Sequence, residues 1–242
     1  MARGFKEPGD KPRRFYKAVA VAPDGGGFIV RLDERSVRTP GGARQVVPTE
    51  RLADQIAEEW AAQGEHIDLA AMHAARLANT AIDAIPGARE ATADSVAAFA
   101  ASDLLCYRAE SPAGLVARQA EHWDPLIERA GREEGLAFVC ASGIIHRDQP
   151  EATPARVRAL ALELDDFRLA ALAFGVALYG SAILALAVVR GWLDAREAFE
   201  LSRLDEAWQE ERWGVDDEAA ERTARLRGEA AMLQRWLANL NP

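Results

Sequence analysis

The chain is poor in the groups from which most catalytic and metal centres are built: among 242 residues there are two cysteines and four histidines. Cys106 and Cys140 stand in apolar surroundings without a CxxC or Cys/His ligand spacing, as expected of reduced, packed thiols; a bond between them is the single disulfide the composition allows. His66, His73, His122 and His146 form no i, i+4 pair with an intervening glutamate, so neither a zinc site nor any other metal or cofactor is expected. There is no G-x-S-x-G elbow for a nucleophilic serine. Gly25 to Gly27 are not followed by the lysine and Ser/Thr of a phosphate loop, and they read as a hairpin turn. Positive charge is also short. Lys+Arg of 29 against Asp+Glu of 38 gives a net charge of −9, which repels phosphate backbones and argues against nucleic acid as a partner. No secretory apolar region follows Met1, and the basic residues are almost all arginine, a usage typical of GC-rich bacterial genomes; the cytoplasm is the expected compartment.

What the chain has instead is one long apolar run, Leu169 to Val189, without a charged residue. Its length meets the roughly 20 residues needed to span a bilayer. It is nevertheless built largely from alanine, punctuated by Gly180-Ser181 and bracketed symmetrically by Arg168 and Arg190. Two buried helices fit better: Asp165 or Asp166 caps the first, Ser181 caps the second, and Gly191 provides a left-handed exit. No membrane insertion is expected.

Around this run the periodicity changes along the chain. Residues 1–12 read as an arm. RRFYKAVAVA from Arg13, FIVRL over 28–32 and Ser36 to Thr39 read as three short strands separated by Pro23 to Gly27 and by Asp33-Glu34-Arg35. Helical spacing begins after Thr49, with Leu52, Ile56 and Trp60 on a core face up to Gly64. A second helix is expected from Asp68 until Pro86-Gly87 stops it. These signals predict an α+β chain, with a small antiparallel β-rich N-terminal domain over 1–86 and a larger all-helical domain over 87–242. In the second part Pro125 is expected to kink or restart a helix, and Leu136 to Ala141 is the one run that could be a strand. The last helix carries Ala219, Thr223, Leu226, Ala230, Leu233, Leu237 and Leu240 as a narrow seam suited to a neighbouring helix.

Two places could carry function. A helix over 88–107 puts Asp103 in an apolar stripe with Val96 and Phe99, where its charge needs a partner; a buried arginine pair is expected, and a small-molecule enzyme using such carboxylates as acid and base is the alternative. The helix after Asp194 ends in a charged stretch. There Glu206, Glu210 and Glu211 repel one another with only Arg203 and Arg212 to offset them, and Trp208 and Trp213 flank them. Tryptophan beside charge suits the centre of a protein interface.

The wording of the chain then becomes familiar: RFYK, VRTP at 37–40, EEWAAQ at 58–63, DLLCYR at 103–108, WDPL at 123–126, GSAILALA at 180–187 and LDEAWQEERWG at 204–214. In that order it resembles the F-type ATP synthase assembly chaperones, which hold the α subunit of the catalytic head before it joins β. The resemblance implies a β-rich N-terminal part, a helical C-terminal part, no enzymatic activity and no cofactor. It implies residence in the bacterial cytoplasm, or the mitochondrial matrix for eukaryotic relatives. Its important glutamate aligns with Glu206, and Gln209, Trp213 and Gly214 match beside it; with Glu210 and Trp208 these are the expected partner-binding residues. The chain departs from the family pattern at Glu34, where a glycine is usual, at Met72-His73 and at Ala207. A membrane-anchored assembly factor is the other alternative.

Overall fold

The computed structural model describes residues 11–143 and 147–241; most of the expected arm and His146 lie outside the described residues. By their contacts, the described residues up to Asp83, with Asn239 to Asn241, form one compact unit and those from Ala84 to Ala238 another.

In the first unit β1 (Val19–Asp24), β2 (Gly27–Leu32) and β3 (Arg35–Ser36) form an antiparallel sheet in sequence order. Asp24 opposes Gly27, so the first turn has two central residues, and Gly25 and Gly26 take φ of +60° and +94° there. That is the primed turn whose twist matches the strands, and glycine adopts it without strain. At the second turn the left-handed position falls on Asp33, φ +52°, and not on Glu34. Asp33 is held there because its carboxylate accepts from the backbone N–H groups of Lys17 and Ala18, at 3.1 and 2.8 Å. Those bonds hold its carboxyl below the ordinary range. The glycine missing at position 34 is therefore not needed.

The first strand begins later than the sequence suggests. Residues 12–14 instead pair with 65–67, through Ile67 N–H to Pro12 O and Arg14 N–H to Glu65 O, both 2.8 Å. Helix α1 (Glu50–Ala61) is capped by Thr49 and buries Leu52 and Ile56, while Trp60 is only half-buried. Asp68 caps a single 3-10 turn, Leu69–Ala71, and α2 proper spans His73–Asn79. Its N-terminus is satisfied from α1, because Glu59 accepts from Ala74 N–H at 2.7 Å and Ala75 N–H at 2.8 Å. Pro86-Gly87 does not stop the helical path. After one wide turn (Thr80–Ala84), α3 starts at Ile85 and runs to Ala101 with Pro86 in its first turn, where a missing N–H breaks no helical bond.

The second unit contains α3, α4 (Ala113–Glu134), α5 (Ala152–Leu162), α6 (Asp166–Tyr179), α7 (Ala182–Val189), α8 (Ala195–Ser202), α9 (Leu204–Trp213) and α10, which spans Asp217–Asn239 and ends in the first unit. Helix α3 packs on α5 and α6, α6 on α7, and α7 on α4 and α8. Pro125 lies inside a continuous α4. The two residues just before it are anchored, because Trp123 Nε1 donates to Leu201 O at 3.1 Å and Asp124 pairs with Arg108 at 2.6 Å, so one absent backbone bond does not end the helix. The part expected to be all-helical also holds a parallel pair, β4 (Tyr107–Arg108) with β5 (Ala141–Ser142); only the end of the run from Leu136 is strand.

The apolar run folds as two helices. Asp165 caps α6, Gly180 closes it at φ +65°, and Ser181 Oγ caps α7 by accepting from Leu184 N–H at 3.1 Å. Helix α7 is buried from Ala182 to Val188. A Cβ on Gly175 would lie 3.2 Å from that of Ala185, so the absent side chain lets α6 and α7 approach closely. Among the described residues no helix is long and apolar enough to cross a membrane.

Asp103 joins this hairpin to the end of α3. The helix stops at Ala101, and Asp103 is fully buried, capping the turn Leu104–Cys106. Its partner is not an arginine. One oxygen accepts from Ser181 Oγ at 2.8 Å and Leu105 N–H at 3.0 Å, the other from Ile183 N–H at 3.0 Å at the start of α7. Burial outweighs these bonds and pushes the carboxyl up to about 6. Because this value exceeds the ordinary one near 4 for an unfolded aspartate, the folded state binds the proton more tightly; the group's contribution is full below about pH 4 and is lost as pH rises through about 6. Asp103→Asn has nothing to titrate and presents an amide nitrogen where an acceptor is needed. Wild type should therefore be the more stable protein at pH 4, and its advantage should shrink by on the order of 3 kcal/mol towards pH 7. Urea unfolding of both proteins across that range measures it, and an advantage that grows with pH would contradict the assignment.

Candidate functional site

Helix α9 has two faces with different fates. Leu204 is buried, and Asp205 accepts from Gln119 Nε2 at 2.7 Å, while Gln119 Oε1 accepts from Ala109 N–H at 2.9 Å. Trp208 lies over Gly114 of α4: a Cβ there would come within 2.6 Å of the indole. Arg118 and Arg212 both stack on that ring, 4.8 and 3.6 Å from its centroid. Arg118 also grips Glu211 with two bonds of 2.7 and 3.1 Å, which holds the Glu211 carboxyl below its ordinary range. Positions 204, 205, 208 and 211 thus fasten α9 to α4.

Positions 206, 209, 210 and 213 follow the i, i+3, i+4, i+7 spacing and share another stripe. Glu206, Gln209, Glu210 and Trp213 all line one open concavity of about 800 Å³. Trp208, expected to act with them, does not join them. Glu210 is bonded to Arg203 at 2.7 Å, so with Glu211 tied to Arg118 two of the three crowded carboxylates are neutralised. Glu206 and Gln209 are exposed and bond to none of the described residues. Trp213 is 77% exposed, and Val215 just beyond it 56%.

The far wall is the first half of α10, and here the seam read from the sequence divides. Its later positions are used within the chain. Ala230 and Leu233 are buried, and Trp236 stacks on Phe167 at 6.0 Å and donates Nε1 to Phe167 O at 3.3 Å. Arg227 pairs with Glu200 of α8 at 2.6 Å, and Gln234 accepts from Ala195 N–H at 2.8 Å. The earlier positions Ala219, Thr223 and Leu226 face the concavity instead. Leu104, Tyr179, Phe199 and Arg203 complete it. None of those four was singled out as a lining residue in the sequence, because chain distance, not local pattern, separates them. The legible signal was the α10 seam as a whole, which the sequence assigns to a neighbouring helix without dividing it.

The family model for the ATP12 chaperone protein matches residues 13–131. The crystal structure of Atp12 from Paracoccus denitrificans superposes with a TM-score of 0.87 at 42% identity, covering 95% of this chain and 99% of that one. The crystal structure of an Agrobacterium tumefaciens protein gives a TM-score of 0.88 at 42% identity, covering 95% of this chain and 87% of its own. The mitochondrial protein atp12 of Schizosaccharomyces pombe is 29% identical over 221 residues, 86% of this chain and 76% of that protein. The chain belongs to the ATP12 chaperone family. It is thereby an ATP synthase assembly factor by family, and the family model describes its members as chaperones.

Membership gives the sequence motifs a structural meaning, because most of them hold one another. DLLCYR meets GSAILALA through Asp103 and Ser181, and meets WDPL through Arg108, which pairs with Asp124 and lies 5.3 Å from the Trp123 ring centroid. RFYK meets EEWAAQ where Tyr16 Oη donates to Trp60 O at 2.7 Å. VRTP is fixed by Asp83, which accepts from Thr39 Oγ1 and Gly41 N–H, both at 2.7 Å. In LDEAWQEERWG only the α4-facing positions have this character. The side chains of Glu206, Gln209 and Trp213 make no hydrogen bond or ion pair with the described residues. The close approach at Gly114 gives a test of how firmly the helix is seated. Gly114→Ala should lower stability by about 1–3 kcal/mol in denaturant unfolding, because the indole it meets carries Arg118 and Arg212 against its ring and is restrained from swinging aside. An unchanged midpoint would mean that α9 is loosely docked.

Proposed function

We propose that this chain holds the α subunit of the F-type ATP synthase catalytic head on the face between α9 and α10, masking the surface through which α later meets β. The observation that carries the reading is the stripe Glu206, Gln209, Glu210 and Trp213 on an open concavity whose other wall is the unmatched half of the α10 seam. A large exposed indole gives an anchor whose burial contributes most of the affinity, and the surrounding carboxylates favour a client surface edged with basic groups. Such contacts allow capture and release without nucleotide hydrolysis. Glu206, Gln209, Glu210 and Trp213 are the proposed contacts; Trp208 serves them indirectly by seating the helix. The proposed compartment is wherever α awaits assembly, which for a bacterial protein is the cytoplasm.

Neither alternative gains support. The Asp103 carboxylate is sealed from solvent with both oxygens occupied by chain donors, so no substrate reaches it. A membrane anchor would need a helix of a length and hydropathy absent from the described residues.

Co-expression pull-down against α and β separately tests the proposal, with retention of α and not of β as the expected result. Glu206→Gln should weaken retention of α while changing stability by no more than about ±0.5 kcal/mol, since its side chain is exposed and bonds to none of the described residues. Trp213→Ala should weaken it further. Leu204→Ala is the contrasting variant: it lies on the buried face and should lower stability by about 2–5 kcal/mol. Normal capture of α by both Glu206→Gln and Trp213→Ala would overturn the assignment of this face.

A further inference from the structure

The two cysteines, 34 positions apart in sequence, are brought together by the parallel pair β4–β5. Tyr107 opposes Ala141 and Arg108 opposes Ser142, and Cys106 and Cys140 immediately precede these two parallel strands, so both arrive at the same end of the pair. Neighbouring strands lie about 4.8 Å apart, inside the Cα separation of about 4.4–6.8 Å that a disulfide accepts. Both are free in this structure, yet their settings differ: Cys106 is buried and Cys140 is exposed. The expectation of two packed thiols holds for Cys106 alone. Arg108 Nη2 stands 4.0 Å from Cys140 Sγ and places a fixed positive charge beside the exposed sulfur.

We infer that Cys106 and Cys140 are a redox modification site, closing to a reversible intramolecular disulfide when the protein meets a peroxide. The order of events follows from exposure. The Cys140 thiolate attacks one peroxide oxygen, the O–O bond breaks, and a hydroxide (or alkoxide) leaves with a sulfenic acid formed on Cys140. The Cys106 sulfur then attacks the Cys140 sulfur; the S–O bond breaks, and the departing hydroxide takes the proton that Cys106 gives up and leaves as water. Two thiols and one peroxide yield one disulfide, and with hydrogen peroxide two waters. Burial, with the Asp103 carboxylate close by, pushes the Cys106 thiol well up, so it stays protonated at rest and does not start the reaction. It acts as the resolving thiol because it is adjacent. The bond ties the Asp103 turn to the segment after α4, and by closing a long loop it restrains the unfolded chain.

The test uses the reduced full-length protein and hydrogen peroxide, read by thiol titration, intact mass and non-reducing electrophoresis. The expected result is loss of both titratable thiols, a mass lower by two hydrogens with no oxygen retained, monomeric mobility, a linked peptide containing both cysteines, and full reversal by dithiothreitol. The oxidised form should also melt several degrees higher. Because Cys106→Ser alters the core, the informative variant is Cys140→Ser, in which the buried thiol should survive the same treatment. Two persisting thiols, oxygen accumulating on Cys140 alone, a covalent dimer, or loss of the Cys106 thiol in Cys140→Ser would each overturn the inference.

Discussion

A run of apolar residues broken in the middle creates two helix ends inside a core, and the rest of the helical unit depends on satisfying them there. A helix end buried without partners leaves N–H groups whose loss of water costs about 1–3 kcal/mol each. Ser181 serves Leu184, and Asp103 serves Ile183 while bonding the Ser181 hydroxyl. The same carboxylate also caps the turn at Leu104–Cys106, and the Leu104 N–H donates to Gly180 O at 3.2 Å. One side chain therefore fixes where α3 ends, where α7 begins and how the two approach. An arginine partner would have delivered a charge into this core. Hydroxyl and amide donors deliver none, which is why burial dominates the titration of Asp103 and keeps its proton affinity high.

How much of this was legible in the sequence depended on whether the deciding contact was local. Asp165, Gly180 and Ser181 act within a turn of their own helices, and their roles can be read from residue type and spacing. The turn at Gly25-Gly26 is equally local. Pro86-Gly87 and Pro125 misled for the opposite reason: a proline is a stop signal only where the chain around it is free to leave, and at Pro125 tertiary bonds from Trp123 and Asp124 keep the helix continuous. Asp103 could be recognised as a buried charge needing a partner, but the partner lies 78 and 80 positions away in sequence. No periodicity reports such a distance. The two-residue β4–β5 pair is too short for any pattern to announce it.

The candidate site was half legible for a related reason. Crowded glutamates with tryptophans on one helix were visible, and so was the family resemblance, but which residues share a face could be decided only by what α4 takes. Trp208 and Trp213 are five positions apart, so they point to different sides of α9. Gly114 removes a side chain where the indole of Trp208 must lie, and that vacancy on α4 orients the whole helix. Once Trp208 is seated, the stripe from Glu206 to Trp213 has nowhere to go but the concavity.

That division explains how a single short helix combines rigidity with an unsatisfied surface. An indole left 77% exposed gains nothing within the chain, and an unpaired glutamate near Glu210 adds a small repulsion. Both are tolerable because the opposite face of α9 is held by a buried leucine, a seated indole and a two-bond Arg118–Glu211 link. Anchoring one face sets the other in advance, so a client that docks there does not have to order the helix as it binds. Less of the contact energy is then spent on ordering, and a modest patch can hold a partner without becoming so adhesive that the partner cannot leave. The first half of α10 differs in that its seam lines the concavity and has no packed mate among the described residues. Facing α9 across the concavity, it makes the second wall of that surface.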